Sequence, residues 1–139
     1  MISRILIGAG AAIFLYLGSV HLTYTFFTDK FSPRESQLET AMKEVAPRIS
    51  SETTMWKTWI GFNISHSMGA LLFGLTYAYL VVCQWELLQR SYFLTVIGLL
   101  MLIGYVVVAR IFWFKGPLIG ALAATLLYVA GFVYAFTRH

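Results

Sequence analysis

The chain has 139 residues, of which 59% are hydrophobic and only 12% are charged. This length allows a single domain, and the composition excludes a water-soluble globular protein, which has no means of burying so much apolar surface. The formal net charge is +4, but the basic residues stand singly at the ends of apolar segments, so we predict no nucleic-acid partner.

Four segments contain no Asp, Glu, Lys or Arg, and each has about the 20 helical residues that cross a bilayer. They are residues 5–28, 58–85, 91–109 and 116–137. The pattern predicts an all-α fold, a four-transmembrane-helix bundle that forms a single membrane domain over residues 1–139. The predicted helices lie, in chain order, at about 5–27, 54–82, 92–112 and 117–136.

The first apolar segment follows Arg4, as in a secretory signal, but its apolar run is longer than usual and no Ala-x-Ala site closes it. We therefore expect a retained helix. Its last third turns polar with His21, Thr23, Tyr24 and Thr25. His21 and Thr25 are four residues apart and share one face of the predicted helix.

The loop between the first two predicted helices contains a helix signal of its own at residues 32–46. Ser32, Pro33 and Glu35 fit a capping box with proline in the first turn, and Glu39 is placed to pair with Lys43. Apolar residues then recur at helical spacing, which predicts an amphipathic interfacial helix on the membrane surface or a lid over the bundle. These apolar residues are Leu38, Ala41, Met42 and Val45.

The remaining elements are predicted from caps and from small residues. Ser50 or Ser51 is expected to cap the second spanning helix, and a short turn is expected at 85–90. The last helix is expected to start at Pro117, after a tight turn. Ridges of small residues let the backbones of neighbouring helices approach each other. Two such ridges lie on the second spanning helix, which is therefore expected at the centre of the bundle. The ridges are Gly61, Ser65 and Gly69; Ala70, Gly74 and Ala78; Gly116, Gly120 and Ala124.

Polar side chains inside the spans are the candidate functional residues, because a hydrogen-bonding group in hydrocarbon needs a partner. At 1.5 Å per helical residue, His21, Asn63 and His66 approach one depth, and Arg110 reaches the same membrane side. We predict a polar ligand-binding pocket beneath the first loop. Its predicted lining is His21, Thr25, Asn63, His66 and Arg110, with Glu52 and Trp56 in the roof.

Several functions are compatible with these residues. The polar groups are able simply to bond one another and fix helix register. A pocket for a lipid-like or quinone-like small molecule is the leading hypothesis, with acid–base chemistry at His66 because imidazole exchanges a proton near neutral pH. A non-catalytic accessory subunit of a larger membrane complex, or a homo-oligomer, is the main alternative.

Cofactor and catalytic signals are weak. His21 and His66 on facing helices suit a bis-histidine b-type haem, which is a lesser alternative. No metal site is predicted, since no Asp or Glu lies inside a span, and His139 is not expected to contribute. Ser65 and Ser67 flank His66 but belong to no nucleophile motif, so no catalytic residue is assigned.

The motifs His-Leu-Thr-Tyr-Thr-Phe-Phe (21–27), Phe-Ser-Pro-Arg (31–34) and Met-Trp-x4-Gly-Phe-Asn-x-Ser-His-Ser (55–67) resemble those of a group of uncharacterised short bacterial four-helix integral membrane proteins. The likeness covers most of the chain. It implies a bacterial cytoplasmic membrane and carries over no activity. The size and buried polar groups are also loosely similar to the sterol-isomerase-like membrane fold, whose acidic residues within the spans have no counterpart here.

The distribution of basic residues predicts the orientation. Loops one and three with their flanks carry more Lys and Arg than the other side, which places these loops in the cytoplasm and both termini outside. The richer side holds Lys30, Arg34, Lys43, Arg48, Lys57, Arg110 and Lys115, and the poorer side Arg4, Arg90 and Arg138.

Overall fold

The computed structural model describes residues 1–137, and every secondary-structure element in that range is an α-helix. Four helices are long and two are short. In chain order they are α1 (Ile2–Phe27), α2 (Ser36–Glu44), α3 (Met55–Cys83), α4 (Trp85–Arg90), α5 (Tyr92–Phe112) and α6 (Lys115–Thr137).

The four long helices, α1, α3, α5 and α6, are each long and apolar enough to cross a membrane. They coincide with the four predicted spans, which indicates an integral membrane protein. The structure extends the last predicted helix, about 117–136, by two residues at its start, since α6 begins at Lys115 and contains Pro117 in its first turn. The first backbone N–H groups of a helix have no partner within it, so a proline there costs nothing. The predicted turn at 85–90 is likewise the short helix α4.

The chain divides into two compact units, which are described separately. Among the described residues, the large unit consists of 1–17 together with 70–137, and the small unit consists of Gly18–Gly69. Because α1 and α3 each contribute to both units, no linker separates them in sequence.

In the large unit, parts of α1 and α3 pack with α5 and α6 around aromatic rings. The buried Phe14 ring of α1 lies 4.9 Å from Phe73 of α3 and 5.0 Å from Tyr105 of α5, between ring centroids. A Cβ added at Gly10 would lie 3.0 Å from the Ala124 carbonyl oxygen of α6. A Cβ at Gly74 would lie 2.9 Å from the Ala11 carbonyl oxygen of α1. Small residues therefore bring α1 into backbone contact with both α3 and α6.

Two buried tyrosines fix the position of α5 in the same unit. The Tyr77 hydroxyl of α3 donates to the Leu94 carbonyl oxygen, and the Tyr128 hydroxyl of α6 donates to the Thr95 carbonyl oxygen at 3.0 Å. Both hydroxyls occupy the space that a side chain at Gly98 would need. Glycine at this position is what lets the two phenols reach the α5 backbone.

In the small unit, the predicted helix at 32–46 forms only over Ser36–Glu44, and the predicted capping box is wrong. Glu35 occupies the N-cap and accepts no side-chain cap bond, while the Ser32 amide donates to the Asp29 carbonyl oxygen at 2.8 Å in a preceding turn. The predicted pair is present, with Lys43 Nζ 2.6 Å from Glu39 Oε1. The motif from Ser32 to Glu35 does not form a capping box, because the chain makes a turn at Ser32 before the helix begins.

The cap of α3 also differs from the prediction. The Lys57 amide donates to Thr54 Oγ1 at 3.3 Å, so Thr54 takes the role expected of Ser50 or Ser51. Ser50 instead accepts from the Glu52 amide at 3.1 Å and stabilises a turn. The Met55 amide donates to the Val45 carbonyl oxygen at 2.8 Å, which joins the end of α2 to the start of α3.

Candidate functional site

The small unit brings His21 of α1 together with Asn63 and His66 of α3. His21 Nε2 lies 3.0 Å from Asn63 Oδ1, and the centroids of the two imidazole rings are 5.2 Å apart with the rings inclined at 66°. Asn63 is buried, and both histidines are half-buried. Asn63 and His66 are three residues apart on α3, so one helix face presents both to His21.

Asn63 determines which nitrogen of His21 carries a proton. The Asn63 Nδ2 group donates to the Trp59 carbonyl oxygen at 2.8 Å, which orients the carboxamide and turns Oδ1 towards His21. A carbonyl oxygen only accepts hydrogen bonds, so His21 Nε2–H must be the donor in this contact. In the neutral imidazole the other nitrogen, Nδ1, is then an acceptor.

Two buried hydroxyls near the cluster bond to the helix backbone. Thr25 Oγ1 donates to the His21 carbonyl oxygen at 2.9 Å, and Ser67 Oγ donates to the Asn63 carbonyl oxygen at 2.9 Å. Both bonds run back four residues, as Ser and Thr commonly do in apolar helices. Thr25, a predicted pocket residue, therefore lies about one helical turn from His21 and donates its hydroxyl proton to the main chain.

Phe31 and Trp59 complete the cluster, although neither was among the predicted site residues. The Phe31 ring lies 4.5 Å from the His21 ring, between centroids, and Trp59 Nε1 donates to the Phe31 carbonyl oxygen at 2.9 Å. Trp59 had a detectable signal, because it precedes Asn63 by four residues on the same helix face. Phe31 lies in a loop, where no periodicity indicates which residues it contacts.

The other predicted site residues have different surroundings. Glu52 is exposed in the loop before α3, and the Trp56 ring has the Lys43 ammonium 5.3 Å from its centroid. Arg110 is an exposed residue of the last turn of α5 and belongs to the large unit. His139 lies outside the described residues. The cluster described here therefore consists of His21, Asn63 and His66, flanked by Phe31 and Trp59.

The cluster does not fit a haem held between its two histidines. The Nε2–H of His21 is engaged with Asn63, and the imidazole rings contact each other directly at 5.2 Å. Axial ligation instead requires a nitrogen lone pair from each imidazole on opposite faces of a porphyrin plane. Between residues 1 and 137, no three His, Cys, Asp or Glu side chains lie together as a metal site.

Chemically, the cluster offers hydrogen bonding and proton exchange next to aromatic surface. Two imidazoles in contact supply a hydrogen-bond donor and an acceptor within one small area. Both charged forms together would repel each other across 5.2 Å of partly desolvated space. The pair is therefore suited to hold at most one added proton.

Comparison of the chain with protein-family models, with curated proteins and with solved structures gave no match. The resemblance to short bacterial membrane proteins thus stays a prediction, and the function has to be inferred from the geometry of the chain itself.

Proposed function

We propose that this small integral membrane protein binds a lipid-like or quinone-like molecule at the cluster of His21, Asn63 and His66. The observation that carries the proposal is the contact of two half-buried imidazoles from two membrane-spanning helices, 5.2 Å apart. Fixing helix register requires only the bond between His21 and Asn63. A second ionisable ring beside it adds desolvation cost, and such groups within a membrane are usually functional.

The tautomer of His21 restricts what the site recognises. Since Nε2–H donates to Asn63, the acceptor of the neutral ring is Nδ1, which suits a hydroxyl donor such as a quinol or a lipid alcohol. The aromatic faces of Phe31 and Trp59 supply apolar surface for a ring or chain. A molecule with one polar end and an apolar body therefore matches the cluster better than a soluble metabolite.

The proposal is tested by identifying and titrating the bound molecule. We expect an organic extract of the purified protein to contain a lipid or quinone, and His66→Ala to weaken its retention about tenfold, because a lost hydrogen bond at a buried partner costs roughly 1–3 kcal/mol. Mass spectrometry of the extract and a titration with the same molecule measure this.

Ser65→Ala is the matched control, because Ser65 is the exposed neighbour of His66 and its hydroxyl donates to the Phe62 carbonyl oxygen. The Ser65→Ala variant is expected to retain as much of the bound molecule as the unmodified chain does. Equal retention in His66→Ala, or an extract with no bound molecule, contradicts the proposal.

An accessory subunit of a larger complex, or a homo-oligomer, is the second candidate. Gly61 and Ser65 are exposed at a spacing of four on α3, and no atom lies within 4 Å of a Cβ built at Gly61. Such an open small-residue face suits a partner helix. Under this candidate, Gly61→Ile would disrupt assembly on a native gel while His66→Ala would leave assembly unchanged.

We further propose that the protein resides in a bacterial cytoplasmic membrane, with loops one and three in the cytoplasm and both termini outside, as the basic residues favour. In this arrangement α2 is an interfacial helix whose apolar side, including the exposed Leu38, faces lipid. Spin labels at position 38 should then be more accessible to oxygen than labels at the polar position 37. Equal accessibility would contradict an interfacial position of α2.

A further inference from the structure

Two adjoining cavities lie in the large unit where α4 meets the end of α6. The first has a volume of about 390 Å³ and is lined by Glu86, Gln89, Arg90, Phe132, Ala135 and Phe136. The second has a volume of about 350 Å³ and shares Gln89 and Ala135 with the first. Both volumes fall in the range of about 300–1,000 Å³ that is usual for small-molecule sites. Neither cavity contains a residue of the histidine cluster.

The position of α4 places these cavities at a membrane face. α4 connects the spans α3 and α5, so it lies where one span ends and the next begins. Trp85, at its first residue, lines the second cavity and has the Arg4 guanidinium carbon 5.2 Å from its ring centroid. Tryptophan and arginine are the residues that characteristically lie at the level of lipid head groups.

The first cavity combines opposite charges with an apolar wall. Arg90 Nη2 is 4.0 Å from Glu86 Oε2, and both side chains are 84% exposed. An ion pair this long and this exposed contributes little, so each group is able to exchange its partner for a ligand. Phe132 and Phe136 of α6, one turn apart, form the wall beside them.

We propose that this cavity binds a zwitterionic aminophospholipid. The lipid phosphate contacts Arg90, its primary ammonium donates to Glu86, and an acyl chain lies along Phe132 and Phe136. The charges on the protein match those of this head group in sign. An anionic phospholipid such as phosphatidylglycerol has no ammonium to pair with Glu86 and is repelled by it through its net negative charge, and a choline head group has no N–H to donate.

The experiment is native mass spectrometry of the full chain, released from nanodiscs of equal parts phosphatidylethanolamine, phosphatidylcholine and phosphatidylglycerol. We expect retained phosphatidylethanolamine to exceed each other lipid about fivefold, which corresponds to roughly 1 kcal/mol, since only its primary ammonium donates hydrogen bonds to the Glu86 carboxylate. Arg90→Gln should lower the retention of all three lipids about fivefold, because each of them carries the phosphate that Arg90 contacts. Glu86→Gln should shift the preference from phosphatidylethanolamine to phosphatidylglycerol, because the carboxylate that pairs with the ammonium and repels an anionic lipid is gone.

Lys115→Gln is the matched control, since Lys115 is an exposed basic residue at the start of α6 and lines neither cavity. The preference should persist in this variant. Arg90 and Glu86 are too exposed for their replacement to unfold the protein, and circular dichroism checks the helix content. Equal retention of the three lipids, an unchanged total retention in Arg90→Gln, or an unchanged order in Glu86→Gln overturns the proposal.

Discussion

A single carboxamide, that of Asn63, organises the polar interior of the small unit. Its Nδ2 group donates to the Trp59 carbonyl oxygen, and its Oδ1 accepts from His21 Nε2–H. One side chain thereby joins α1 to α3 and sets the hydrogen-bonding pattern of an imidazole. The same carboxamide thus stabilises the pair of helices and decides what His21 presents to a ligand.

We predict that neutral His21 is the Nε2–H tautomer. In protein with ¹⁵N-labelled histidine at pH about 8, above the ordinary histidine range, the ¹⁵N spectrum should show His21 Nε2 protonated and Nδ1 bare. The physical reason is that Asn63 Oδ1 only accepts. Asn63→Leu should produce a mixture of tautomers, because it removes that acceptor.

Ser65→Ala serves as the control for the tautomer measurement, since the exposed Ser65 hydroxyl bonds to the Phe62 carbonyl oxygen and leaves the cluster intact. Its His21 spectrum should match that of the unmodified chain. A protonated Nδ1 in the unmodified chain would show that the carboxamide is oriented the other way.

Among the helices, α5 is held in a different way from α1. In the large unit α1 approaches its neighbours through small residues such as Gly10, whereas α5 receives two tyrosine hydroxyls on its backbone at Leu94 and Thr95. The two tyrosine hydroxyls lie where a side chain at position 98 would be, so their contact with α5 requires glycine there. The position of α5 is therefore more sensitive to this glycine than to its many exposed apolar side chains.

Gly98→Ala is predicted to lower the free energy of unfolding by about 1–3 kcal/mol, the usual cost of overpacking. The added methyl would occupy the space of the Tyr77 and Tyr128 hydroxyls. Gly104→Ala on the same helix is the control, because nothing lies within 4 Å of a Cβ there. It should be neutral or stabilising by up to about 1 kcal/mol.

Reversible unfolding in mixed detergent micelles measures the free energy of unfolding of both glycine variants under the same conditions. If Gly98→Ala were as stable as Gly104→Ala, the tyrosine hydroxyls would have another place to lie, and the proposed support of α5 would be wrong.

At the scale of the whole molecule, four spans require that alternate connections lie on opposite sides of the membrane. We therefore predict that the connection containing α2 and the turn between α5 and α6 share one side, with α4 on the other. In the orientation proposed from the basic residues, the first side is the cytoplasmic one.

Single cysteines test this arrangement in a Cys83→Ser background, which removes the exposed native thiol. We predict that Gln84→Cys reacts with a membrane-impermeant maleimide in intact cells, whereas Glu35→Cys and Phe114→Cys react only after the membrane is opened. All three positions are exposed. The background without cysteine should not react, and labelling of position 35 together with position 84 would contradict four spans.

The sequence alone determined the number and approximate limits of the long helices. Uninterrupted apolar segments have to form helices in a bilayer, because no water is present to satisfy the backbone, and charges mark their ends. Short-range capping was less predictable. Thr54 caps α3 in place of the expected Ser50 or Ser51, and Ser32 lies in a turn before α2. Neighbouring hydroxyls compete for a few backbone amides, so the sequence does not show which of them forms the cap.

Side-chain partners were decided only by the tertiary structure. Depth along a helix is readable from residue number, so the sequence indicated that His21, Asn63 and His66 lie near one level. It did not indicate that Phe31 would cover His21, that Trp59 would accept from Asn63, or that Arg110 would belong to the large unit. Those outcomes depend on helix rotation and loop path, which are set by the packing of many residues far apart in sequence.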